Sequence, residues 1–79
     1  MASETYIVVA QWDDEEEVWY TADTNVPGLV VEADTFDAFA AEARDLVPQL
    51  LVANHALPDP FVRRVPLQII RSETIELAR

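Results

Sequence analysis

The stretch Val26-Pro27-Gly28-Leu29-Val30-Val31-Glu32-Ala33-Asp34-Thr35 constrains this chain most, because it asks for a tight turn, a short strand and a helix start in immediate succession. Pro27 fixes its own φ and pushes Val26 into an extended conformation, and Gly28 supplies the backbone freedom a turn needs. Leu29, Val31 and Ala33 then alternate with Val30 and Glu32, the period of a strand with one buried face. Asp34 and Thr35 can both accept a hydrogen bond from the first helical turn, with Thr35 taken as the N-cap, and Asp37 adds charge that suits the positive end of the dipole. Strands are therefore expected before this stretch and a helix after it.

Upstream, Thr5 to Trp12 and Val18 to Thr24 are rich in β-branched and aromatic residues and flank Asp13-Asp14-Glu15-Glu16-Glu17, which predicts a hairpin with an acidic tip. If the loop holds all the tip acids, Trp12 opposes Val18, Ala10 opposes Tyr20 and Val8 opposes Ala22. One face then reads Tyr6, Val8, Ala10, Trp12, Val18, Tyr20, Ala22, wholly apolar or aromatic, and the other holds Ile7, Val9, Gln11, Trp19, Thr21 and Asp23. A slip of one residue would mix the sets. The tip lacks the glycine and alternating ligands of a calcium loop, so a solvated turn is expected and no metal.

Downstream, Phe36, Phe39, Ala40, Ala43, Leu46, Val47, Leu50 and Leu51 form one helical stripe. Pro48 falls on the polar side, where water can satisfy the carbonyl of Arg44, so the pattern predicts one kinked helix fading by Asn54. Pro58-Asp59-Pro60 reads as a stiff connection. His55 has no partner nearby in sequence and is expected simply to complement the helix end. Val65 to Arg71 resumes strand character, with an extension to Leu77 expected and with Pro66 marking a strand start or an edge strand.

The order β-β-β-α-β predicts an α+β domain: an antiparallel three-stranded meander, one helix on one face, and a helical crossover that sets the last strand beside and parallel to the first, in spatial order 3-2-1-4. A single helix covers only one sheet face. Ile7, Val9, Trp19, Val30 and Ile70 are thus expected on an open apolar side that has to be hidden. A domain of 79 residues is marginal on its own core, which adds a motive for a homodimer.

Fifteen acids against five arginines and no lysine give a net charge of −10, which repels phosphate backbones and acidic membrane surfaces. Direct nucleic-acid or membrane binding is therefore not expected. The absence of cysteine excludes disulfides and thiolate metal sites, and with no signal peptide or long apolar segment the expected location is the cytoplasm. A metal-dependent nuclease would need carboxylates converging on its central first strand, and Tyr6 to Trp12 contains none. No catalytic residue, cofactor or metal is assigned.

Gln11-Trp12-Asp13, Val18-Trp19-Tyr20-Thr21, Val26-Pro27-Gly28-Leu29-Val30, Glu32-Ala33-Asp34-Thr35, Leu46-Val47-Pro48 and Val65-Pro66-Leu67 together resemble a small bacterial family of unknown function within the HicB-like antitoxin superfamily. The resemblance implies a truncated ribonuclease-H-like β-β-β-α-β fold, used by HicB antitoxins to bind and occlude a small basic HicA ribonuclease toxin. Many HicB proteins add a DNA-binding domain; a single HicB-like domain over residues 1–79 without one is expected here. The expected function is a non-catalytic interaction module inhibiting a HicA-like toxin. The alternative is a homo-oligomeric structural protein without a toxin. The residues assigned to a partner are Ile7, Val9, Trp19 and Val30 on the open face, Asp13, Asp14 and Glu15 at the tip, and Glu42 on the helix.

Overall fold

The computed structural model describes residues 5–57 and 61–78; the expected Pro58-Asp59-Pro60 connection lies outside them. The elements are β1 (Tyr6–Asp13), β2 (Val18–Thr24), β3 (Glu32–Ala33), α1 (Phe36–Ala53) and β4 (Leu67–Ser72). They build one sheet of order β3-β2-β1-β4, with β1–β2 and β2–β3 antiparallel and β1–β4 parallel. This is the α+β arrangement that the residue pattern implied.

The Pro27-Gly28 turn closes through the Leu29 N–H donating to the Val26 carbonyl at 3.3 Å. Gly28 sits at φ 75°, the left-handed region, and a Cβ there would meet only Leu50 Cδ2 at 3.8 Å. The dihedral, not the space, is what requires glycine. Leu29 and Val31 are buried, as alternation demands, but the β2–β3 ladder covers only Trp19–Ala33 and Tyr20–Glu32. It ends there because the Val31 N–H is taken by the Thr21 hydroxyl at 3.0 Å, in place of a backbone carbonyl.

Thr35 is the N-cap of α1, its hydroxyl accepting the Ala38 N–H at 3.0 Å. Phe39, Ala40, Ala43, Val47 and Leu51 are buried along one stripe, and Pro48 lies within the single helix on its exposed side. At the far end the Ala56 N–H donates to the Leu51 carbonyl and the His55 N–H to the Val52 carbonyl, with His55 at φ 51°. That pair of bonds is a Schellman closure with histidine in the position glycine usually takes. The Tyr6 hydroxyl ties this end to β1 by donating to the Ala56 carbonyl at 3.1 Å.

α1 packs on the Tyr6, Val8, Ala10 face of β1, with Trp12 against the same core. The partner face of β2 differs from expectation. Trp12 opposes Trp19, and Val18 opposes Asp13, because Asp13 belongs to the strand and not to the loop. Its Oδ1 accepts the N–H groups of Glu15 and Glu16 at 3.0 and 3.2 Å, and Glu17 turns the chain back at φ 56°. The loop is therefore one residue shorter than supposed, and β2 slips so that Trp19 points under the helix. A bulge between Val9 and Ala10 then leaves Ala22 unpaired, setting Ala10 opposite Thr21 and Val9 opposite Asp23.

β4 starts at Leu67, after Pro66, whose carbonyl accepts the Tyr6 N–H at 2.9 Å. It ends at Ser72 and does not run to Leu77; the Glu73 carboxylate turns back onto Arg71 at 3.0 Å, and residues 73–78 are exposed without strand pairing.

Candidate interaction surface

The sheet has two sides of different chemistry. On the helix side an aromatic cluster closes the core at the hairpin end: the Trp12 and Trp19 ring centroids are 5.6 Å apart, and Trp19 and Phe36 also 5.6 Å. The Arg71 guanidinium covers the cluster, 4.9 Å from the Trp19 ring, an arrangement that combines cation–π attraction with packing of the arginine stem.

On the open side, the pairing register and the buried residues place Ile7, Val9 and Gln11 of β1, Val18, Tyr20 and Asp23 of β2, with Asp23 directly opposite Val9, and Gln68, Ile70 and Ser72 of β4. Val9 and Ile70 are direct neighbours across the parallel pair, and Ile70 is 41% exposed. A polar line borders this patch toward the hairpin tip. The Ser72 hydroxyl donates to Gln11 Oε1 at 3.0 Å, and Gln11 Nε2 donates to the Thr74 hydroxyl at 3.4 Å. An apolar centre with a hydrogen-bonded rim is the layout of a recognition surface.

The assigned partner residues do not all converge. Ile7 and Val9 lie together on the open face. Val30 is 78% exposed and stands just before β3, at the sheet edge remote from β4. Trp19 does not belong to the surface at all. It is 7% exposed and lies in the core, a correction that follows from the β2 register. Tyr20 takes its place on the open face. Asp13 closes the loop, and Asp14 Oδ1 accepts the Trp12 indole N–H at 3.3 Å. Glu15 is exposed at the tip with Glu16 and Glu17. Glu42 is on the exposed side of α1, across the sheet from Ile7 and Val9.

Among the described residues no cluster of histidine and carboxylate side chains is placed to hold a metal ion. The only ion pair among them is Arg71–Glu73, so the tip acids keep their charge uncompensated. No described helix is long and apolar enough to cross a membrane.

Comparison with known proteins gives a family without a function. The family described as Domain of unknown function (DUF1902) matches residues 5–77. A crystal structure of a hypothetical protein from the extremely thermophilic bacterium Thermus thermophilus is similar over 96% of this chain and 100% of its own, at 30% identity and a TM-score of 0.65. No curated protein matches the chain.

Proposed function

This chain belongs to the DUF1902 family, a domain of unknown function, and on that premise we propose that it is a non-catalytic protein-interaction module of HicB-like type, which binds and inhibits a small basic HicA-like ribonuclease. The observation that carries this reading is the open sheet face, where Ile7, Val9 and Ile70 form an apolar centre bordered by Tyr20 and by Asp23 on a chain of net charge −10. Apolar contacts hold such a partner, and unpaired acids attract a basic one before contact. The acidic tip, with Glu15, Glu16 and Glu17 exposed, stands at the end of the β1–β2 hairpin and steers the encounter. The protein does not bind nucleic acid itself and acts in the cytoplasm. Its inhibition of the toxin needs no chemistry from this chain, only occlusion.

A stand-alone homo-oligomeric role is the second reading, favoured by the unpaired edge of β4. Co-expression with the neighbouring gene products, followed by affinity capture, separates the two. Recovery of a short basic protein in stoichiometric amount supports the antitoxin-like module. Recovery of this chain alone, as an oligomer, favours the second reading. Neutralising Glu15, Glu16 and Glu17 together is expected to slow association with the basic protein and flatten its salt dependence, with little effect on dissociation.

A further inference from the structure

β4 ends the sheet at one side, and an open strand edge is a template for another chain. Among the described residues nothing along it blocks pairing. Leu67–Ser72 contains no proline, its ladder with β1 is continuous from Tyr6–Leu67 to Gln11–Ser72, and its one charge, Arg71, is folded over Trp19 and Phe36.

The segments on either side of β4 are chemically opposite. Before it, Arg44, Arg63 and Arg64 line a groove of about 390 Å³ together with Val62, Val65 and Leu67. None of these arginines has a carboxylate partner among the described residues, although the chain is strongly acidic. After it, residues 73–78 carry Glu73 and Glu76 beside Ile75 and Leu77, which are 78% and 72% exposed. Leu67, Ile69 and Arg71 pair with the helix-facing residues Tyr6, Val8 and Ala10, and Thr74 bonds to Gln11 on the open side. Continued as a strand by pairing with another chain, residues 73–78 would set Ile75 and Leu77 on the helix side, the side on which the groove is built, and Glu76 on the open side beside it.

Within one chain the two segments stand apart. β4 has six residues, about 20 Å at roughly 3.3 Å per residue, and it leads directly from the groove toward the hairpin tip. The geometry points to a second copy of this chain as the occupant: β4 pairs antiparallel with β4 of the copy about a two-fold axis normal to the sheet, and residues 73–78 of each copy lie in the arginine-lined groove of the other. The antiparallel reversal brings the end of one β4 beside the start of the other. An axis normal to the sheet keeps both helices on one side, so Ile75 and Leu77 meet the groove from the correct face. Opposed residues must share a face, which restricts the register. A two-fold centred on Ile70 sets Ile70 against its copy, Ile75 opposite Val65 and Glu76 opposite Arg64. The contact is isologous and closes on itself, which satisfies the edge without fibre growth. It goes beyond the antitoxin-like reading and does not rest on it, since the edge and groove leave Ile7, Val9 and Tyr20 available to another partner.

Light scattering and sedimentation of the full chain, with circular dichroism on each variant, test this. The wild type is expected at twice the chain mass of 8.9 kDa. Ile75→Asp with Leu77→Asp, which alters only exposed side chains, is expected to give a folded monomer. Glu76→Arg and Arg64→Glu are each expected to weaken the dimer about tenfold, and the two together to restore most of the loss. A monomeric wild type, a dimer indifferent to Ile75 and Leu77, or loss in both single variants without rescue in the double would overturn the assignment. So would a dimer broken by Val9→Glu and untouched by the tail changes, which would place the contact on the open face.

Discussion

At the scale of single residues, Trp19 illustrates how one side chain changes role with one step of register. On an open sheet face it would anchor a partner; at 7% exposure, in contact with Trp12 and Phe36, it is core. Trp19→Ala is therefore expected to cost about 3–5 kcal/mol of stability, a large part of the roughly 5–15 kcal/mol available to a domain. Thermal unfolding followed by circular dichroism checks this, and a fall in Tm of under about 4 °C would contradict it. His55 gives the opposite case. It occupies a left-handed position at the end of α1 with an exposed side chain, so its β-carbon strains the backbone while its imidazole stays at the surface. His55→Gly is expected to stabilise the protein by about 0.5–1 kcal/mol, net of the greater freedom glycine gives the unfolded chain. The same melting experiment reads it as a rise of a few degrees.

At the scale of elements, the hairpin register rests on Asp13. Its carboxylate satisfies the Glu15 and Glu16 N–H groups, and Asp13→Ala is expected to cost about 1 kcal/mol and to broaden the nuclear Overhauser contacts between Trp12 and Trp19. Unchanged contacts and stability would mean the turn closes without it. This aspartate also marks the limit of what the residue pattern discloses. The order of elements was legible, because Pro27-Gly28, the Thr35 cap and the helical stripe each leave a local signature. So was the buried face of β1, since Tyr6, Val8 and Ala10 alternate with residues of a different face whatever lies opposite. The face of β2 was not, since each of its faces carries a large aromatic residue, Tyr20 on one and Trp19 on the other, and only the loop length chooses between them. The Ala22 bulge has no signature of its own. Strand length at the edge escaped for a related reason: the Thr21 hydroxyl takes the Val31 N–H and cuts β3 short, a side-chain event that hydrophobic periodicity does not record. On the open face, Ile7 and Val9 lie on the side that alternation implied, whereas Tyr20 stands there in place of Trp19 because the two exchange faces together.

At the scale of the whole molecule, the chain divides its surfaces. The helix closes one side of the sheet, the open side keeps an apolar centre around Val9 and Ile70 with Tyr20 beside it, and the uncompensated acids gather most densely at the hairpin tip. The −10 charge bears on encounter and the apolar face on residence, so changes to the two should separate kinetically. Titration of the neighbouring basic protein, if co-expression yields one, into purified wild type and into Val9→Glu at moderate salt addresses the central proposal most directly. Val9 lies on the open face away from the helix core, so the variant is expected to keep the wild-type far-UV spectrum while its affinity falls by tenfold or more, about 1.4 kcal/mol. Equal affinity of the two proteins, or no binding by the wild type, would contradict a role for the open sheet face in holding a basic partner.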